Sequence, residues 1–258
     1  MTARCLVVGW DGADRGTVEE MLGDGALPAL ARLRSNGASG RIEALAGLAD
    51  DAHWASFSTG LQPGVHGRFH HRQTDRSTGA VEYFRRTDMV VPPFWDALAS
   101  AGRRVAVVDV PKSPMSAAAH CRQLVDWMPH GEDGDRPTGT PIALINDFVS
   151  RYPSIRYADC HRSIPASHLA SYCETLLQRV ATRHRLLDEW IRDDDWDLFL
   201  AVFAESHCVG HHARGTPTIR RIRPTRQLRR SMIQSVRRIK PWTLQSGSLW
   251  KWPGPTPM

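Results

Sequence analysis

Three things are scarce in this chain of 258 residues, and each scarcity narrows what it can be. No apolar stretch approaches the ~20 residues that a membrane-spanning helix needs. The start, MTARCLVVGWDGADRG, has one Arg and a short apolar run that meets acids at once. A signal peptide would carry a longer apolar stretch and a small-residue cleavage site, so a cytoplasmic protein without membrane partners is the expectation. Cysteines are few and scattered. Cys5, Cys121, Cys160, Cys173 and Cys208 form no CxxC pair, and their odd number and wide spacing argue against a disulfide framework or a zinc ribbon. They read as buried or incidental thiols. Acidic residues are missing altogether from 212–258, a segment that holds eleven Lys and Arg.

That last absence divides the chain in two. The formal net charge of +6 averages over unlike pieces: residues 1–211 hold 22 basic and 27 acidic side chains, so the body is mildly acidic. A pI near 9.4 is therefore no sign that the folded body binds nucleic acid or a membrane surface. Residues 212–258 lack helical or strand periodicity of useful length, and Trp242, Trp250 and Trp252 sit among prolines. The segment reads as a basic disordered tail. Its acid-free, Trp-containing composition fits a shifted reading frame better than an arm evolved for nucleic acid. Any nucleic-acid contact is expected to be non-specific and confined to this tail.

The body, 1–211, alternates between strand and helix patterns. CLVVGWDG is a short apolar strand broken by Gly9 and Asp11-Gly12, of the kind found in parallel sheets covered on both faces. LPALARLRSNG predicts a helix with Pro28 in its first turn and Gly37 as its stop. GRIEALA (40–46) is expected to form a second strand, and a short helix is expected from Trp54 to Thr59. A helix marked by Phe94, Trp95 and Leu98 precedes the strand VAVVDV (105–110), which Pro111 ends. PHGEDGDRPTGTP (129–141) reads as a polar loop crossing the sheet's carboxyl edge. Leu169, Cys173, Leu176, Val180, Leu187 and Ile191 mark the longest helix, and the strand DLFLAVFAE (197–205) follows. Such alternation predicts an α/β fold, a three-layer sandwich around a mostly parallel central sheet.

Ligands of open parallel sheets bind beyond the carboxyl ends of the strands. Three polar groups are expected there: Asp11 after the first strand, Asp50 and Asp51 after the second, and His207 and His211 after the last. Carboxylates and imidazoles converging from separate strands suit a divalent metal. Each also has an ordinary structural reading, as a turn residue, a helix cap or a surface histidine. Trp54, Phe57, Trp95 and Trp190 are expected in the core, and His70-His71 with Arg68 and Arg72 in a solvated loop.

Residues 47–71, GLADDAHWASFSTGLQPGVHGRFHH, carry Thr59-Gly60, Pro63 and His66-Gly67 at a recognisable spacing. With the opening WDG, the segments LPALARLRSNGASGRIEAL and VVDVPKSP, and the closing AESHCVGH, they resemble the amino-terminal part of the type I phosphodiesterase and nucleotide pyrophosphatase family, of the alkaline phosphatase superfamily. The resemblance covers most of 4–211. It implies an alkaline-phosphatase-like fold, truncated here at the carboxyl end, and a hydrolase of phosphate mono- or diesters. It also implies two divalent metal ions, zinc first and manganese second, and a small-molecule phosphate ester as substrate. Asp11 and His211 match family metal ligands, and His207 stands where the family has Asp. Asp50 lines up with the family's Thr or Ser nucleophile and is the candidate for both catalysis and metal binding. Asp51 and Trp54, near the helix start that would receive the phosphate, are the candidates for substrate contact. Nothing after 212 resembles the family's later Asp-His-Gly motif or its final His, so each metal would keep part of its shell. The alternative is a degenerate, non-catalytic domain whose basic tail binds nucleic acid or acidic partners.

Overall fold

The structure is a computed structural model that describes residues 4–44, 47–83, 85–128, 137–155 and 163–213, the side chains of Asp50, Asp51 and Ala213 excepted. Of the expected tail, 212–258, His212 and Ala213 close the last helix, and the residues from 214 onward, with Cys160 and the loop residues 129–136, lie outside the described residues.

The chain opens with β1 (Cys5–Trp10), then α1 (Arg15–Gly23) and α2 (Pro28–Asn36). Asp14 caps α1 by accepting from the Thr17 amide at 2.8 Å. Next come α3 (Asp50–Thr59), the single turn α4 (Pro63–His66), and a small antiparallel hairpin of β2 (Arg72–Thr74) and β3 (Val81–Tyr83). The rest runs α5 (Phe94–Ser100), β4 (Val105–Val108), β5 (Cys121–Val125), β6 (Thr138–Thr140), α6 (Ile142–Arg151), α7 (Leu169–Asp193), β7 (Leu198–Phe203) and α8 (Glu205–Ala213).

The main sheet has the order β1-β7-β4-β5-β6. β1, β7, β4 and β5 are parallel, and only β6 runs antiparallel, against β5. Strand side chains alternate between two cores, as the pleat requires. Ala106, Val108, Leu124, Phe199 and Ala201 face Ile145 and Phe148 of α6 and Leu186 and Trp190 of α7. Val105, Val107, Leu198, Leu200 and Val202 face Trp95 and Ala99 of α5, with Trp54 of α3 packed alongside. Helices on both faces of a mostly parallel sheet make the expected three-layer α/β sandwich.

Four local expectations need correction. Residues 40–44 form no strand, and Ile42 is 95% exposed. β1 is not covered on both faces, since Val8 is 53% exposed, and among the described residues it lies at the edge of the sheet. α3 begins at Asp50 rather than Trp54, so the two acids sit in its first turn, where the positive end of the helix dipole favours them. Residues 138–140 add the antiparallel strand β6 instead of continuing a loop. Gly139 is needed there, since a Cβ would lie 2.0 Å from the Gln123 carbonyl oxygen.

Candidate functional site

The turn after β1 is clamped to the end of β7. The Asp11 amide donates to the Phe203 carbonyl at 3.0 Å, continuing the ladder one residue past the strand. Gly12 follows with φ 60°, and a Cβ there would stand 3.0 Å from both Cα and Cβ of His207. Only glycine lets the first turn press this closely on α8. The Ser206 hydroxyl donates to the Asp11 carbonyl at 2.7 Å and closes the joint.

Asp11 is 5% exposed. Its Oδ1 accepts from the Trp54 indole nitrogen at 2.8 Å, and its Oδ2 lies 3.6 Å from His207 Nδ1. The Trp54 ring packs over Gly9, where a Cβ would come within 3.3 Å of it. Trp54, expected in the core, is thus half-buried and ties α3 to the candidate carboxylate. One turn along α8, His211 Nε2 stands 2.9 Å from His207 Nε2. The structure therefore brings Asp11, Trp54, His207 and His211 together at the carboxyl edge. Asp50 and Asp51 hold the first two positions of α3 by backbone.

These donors fit a metal ion in part. Two nitrogens on one tetrahedral zinc, each ~2.0–2.1 Å from the ion, stand about 3.3 Å apart, close to the His207–His211 separation. The Asp11 carboxylate lies beside the same ring, its Oδ2 3.6 Å from His207 Nδ1, a position that suits orienting His207 or binding an ion next to it. No group of three or more His, Cys, Asp or Glu side chains forms a metal cluster among the described residues, which do not include the Asp50 side chain.

The residues of the TG–P-x-x-HG motif have structural work. Gly60 (φ 70°) ends α3 and Gly67 (φ 75°) ends α4, both in the left-handed region that glycine tolerates. His66 is buried, and its Nδ1 accepts from the Arg68 amide at 3.1 Å. A neutral ring bonded that way carries its proton on Nε2, which faces Ser56 Oγ at 2.9 Å. His66 therefore donates to Ser56 and cannot take its proton. Burial, and then the Arg68 charge, hold the His66 pKa below its ordinary value, which keeps the ring neutral.

A buried ionic hub beside the site has no counterpart in the sequence reading. Arg179 and Arg183 of α7 are 1% and 0% exposed. Arg183 donates to Asp109 Oδ2 at 2.6 Å and to Glu205 Oε1 at 3.3 Å, and Arg179 Nε donates to the same Glu205 oxygen at 3.2 Å. Burial alone would lower the Arg183 pKa, but the Glu205 and Asp109 carboxylates outweigh it and raise it. Asp109 (φ 51°) also accepts from the Trp127 and Met128 amides at 2.9 and 3.1 Å. A signal existed: positions 176, 179, 183, 186 and 190 step by three and four, so the two arginines occupy core positions of α7.

A family model described as type I phosphodiesterase / nucleotide pyrophosphatase matches residues 5–223. Two solved structures of phosphonoacetate hydrolase from Sinorhizobium meliloti 1021 share the fold. One, in complex with phosphonoformate, has a TM-score of 0.52 and 17% identity, covering 91% of this chain and 54% of that one. The other, in complex with phosphonoacetate, has a TM-score of 0.52 and 20% identity, covering 92% of this chain and 52% of that one. This chain spans about half the length of those structures. No curated protein matches it.

Proposed function

The chain belongs to the type I phosphodiesterase / nucleotide pyrophosphatase family, and from that premise we propose that it forms part of a hydrolase of phosphate mono- or diesters working with two divalent metal ions, zinc first and manganese second. The observation that carries this reading is the meeting of the Asp11 carboxylate with His207 at 3.6 Å and of His207 with His211 at 2.9 Å, at the sheet's carboxyl edge. Asp11, Asp50, His207 and His211 are the protein ligands in this proposal. Bound divalent ions would neutralise phosphate charge and lower the pKa of an attacking hydroxyl or water.

The chain's own residues define what remains to be done around such ions. Trp54 holds Oδ1 of Asp11 and so fixes the carboxylate's rotation. The positive end of the α3 dipole would favour a phosphate oxygen near the helix start. Asp50 and Asp51 sit in that same turn and repel an anion, so phosphate entry depends on prior binding of cations. Asp50 stands in the place of the family's hydroxyl nucleophile, where a carboxylate is a ligand first. Asp51 and Trp54 are the residues assigned to substrate contact in this proposal.

The test uses the full chain with zinc or manganese, assayed on bis(4-nitrophenyl) phosphate and 4-nitrophenyl phosphate. Hydrolysis is expected to need added metal, to stop with EDTA, and to be abolished in His207→Ala and His211→Ala. Asp50→Thr, which restores a hydroxyl, is expected to raise the rate. Absence of both zinc binding and turnover, in the wild type and in Asp50→Thr, would overturn the proposal and favour the non-catalytic alternative. In that case affinity for nucleic acid that falls steeply with salt, and vanishes on deleting 212–258, becomes the expected behaviour.

A further inference from the structure

The ionic hub between α7 and α8 contains none of the residues given a role above, and it is costly to build. Taking two guanidinium groups and two carboxylates out of water carries a desolvation penalty that apolar side chains of similar volume would avoid. Arg183 already packs as an apolar residue would, with its guanidinium 5.5 Å from the ring centroids of both Trp127 and Phe203. Stability alone is thus a poor account of why charge is present. Placement is a better one, because every partner of Arg183 lies at the carboxyl edge.

The hub joins three strand ends. Asp109 follows β4 and accepts from two amides and Arg183. Arg179 reaches the Met128 carbonyl just beyond β5, and the Ile155 carbonyl at 2.6 Å. Glu205 is the first residue of α8, directly after β7, and is 5% exposed. It is held through Oε1 alone, by both arginines, while its Oε2 has no hydrogen-bond partner among the described residues. Two residues further on comes His207, and one turn after that His211. α8 is also held by the Ser206–Asp11 bond, by Cys208 packed with Leu169, Tyr172 and Leu176, by the Tyr172 hydroxyl donating to the Cys208 carbonyl at 3.4 Å, by the Tyr172 ring edge-on to His212, and by His207 beside Asp11. The two-donor grip acts on the first residue of the helix, two positions before His207, and the rotation of α8 decides where both imidazoles point.

We propose that Arg183, acting through Glu205, is a positioning residue for His207 and His211, holding α8 in the rotation that brings the two Nε2 atoms together. The inference builds on the metal-binding role proposed above, so its first readout is one that needs no metal. In metal-free full-length protein, Arg183→Met keeps the packing and removes the charge, and Arg183→Lys keeps the charge and removes the fork. Hydrogen exchange is measured along α8, α7, β4 and β7, together with the imidazole NMR signals of His207 and His211. Both variants are expected to exchange the α8 amides at least about tenfold faster and to shift both histidine signals, with β4 and β7 unchanged. Zinc affinity is then expected to fall about ten- to a hundredfold, the size of effect seen when a residue that orients a ligand is lost.

Unchanged α8 protection and histidine signals, or a loss spread equally over α7, β4 and β7, would overturn the proposal. Should Arg183→Met fail to fold, Glu205→Gln, of equal volume, carries the same measurement with the same two outcomes. Local loosening of α8 in a protein that takes up no zinc would uphold the positioning role and defeat the metal-binding reading instead.

Discussion

The interior of the sheet and its β1 margin are written in the same kind of sequence and end in opposite environments. VAVV of β4 is wholly buried, and all of LFLAVF in β7 but Phe203 is buried. CLVVGW of β1 has a similar composition, yet none of its six residues is buried. The helices follow suit. α5 and α7 bury Trp95 and Trp190 completely, whereas α1 and α2 bury nothing, and Leu33 of α2 is 61% exposed. The difference lies in what stands opposite. β7 and β4 have strands on both sides and helices on both faces. β1 has β7 on one side, and no described strand pairs with its other edge. An apolar pattern marks the face that would be buried, but burial needs a second surface to exclude water from it. The candidate site lies on this boundary, with Asp11 at the end of the half-covered strand and the histidines held from the buried side.

The sharpest way to test that contrast is to delete a large side chain from the interior. Trp190→Ala is expected to destabilise the protein by about 3–5 kcal/mol in urea denaturation, since it opens a void between α7 and Phe148 of α6. A cost below 1 kcal/mol would mean that the α7 face is not close-packed. A second comparison uses thiols. Burial, with the nearby Asp96 adding to it and the Ser116 hydroxyl opposing it, pushes the Cys121 pKa up to about 11, while Cys5 on β1 is exposed. At pH 8 a soluble thiol reagent should label Cys5 quickly and Cys121 only through unfolding. The unfolded state ionises Cys121 at a lower pH than the folded state does. Stability should therefore fall as pH rises between roughly 9 and 11, and Cys121→Ala should flatten that fall. Equal labelling of the two cysteines in the folded protein would refute the contrast. The smallest effect is expected at the margin: Leu33→Ala should change stability by no more than about 0.5 kcal/mol. A loss of several kcal/mol there would show that α2 is covered in solution.

Much of the fold was legible in advance. The β4, α7 and β7 segments are long or strongly patterned, and their sequence periods match the structure they adopt. The 40–46 segment is neither, and its described residues, 40–44, form no strand. Three of the candidate site residues, Asp11, His207 and His211, come together as their places after strands implied. Their order in space did not follow from spacing. Asp11 Oδ2 stands 3.6 Å from His207 Nδ1, and Gly12 lets the first turn come this close to the start of α8. The hub of Arg179, Arg183, Asp109 and Glu205 was visible only as charges at core positions of a helix. Its partners are 70 or more residues away in one case and about 25 in another, so no local pattern could pair them.

The sequence by itself determined the alternation of strands and helices, the parallel sheet that such alternation requires, and the family to which the chain belongs. These rest on local periodicity and on short motifs, which survive whatever the rest of the chain does. The tertiary structure alone decided which apolar strand is central and which is marginal, that Trp54 serves Asp11, and that a buried ionic hub grips the helix of the two histidines. Each of these depends on contacts between residues far apart in sequence, where burial, dielectric and geometry are properties of the assembled neighbours and not of any one segment.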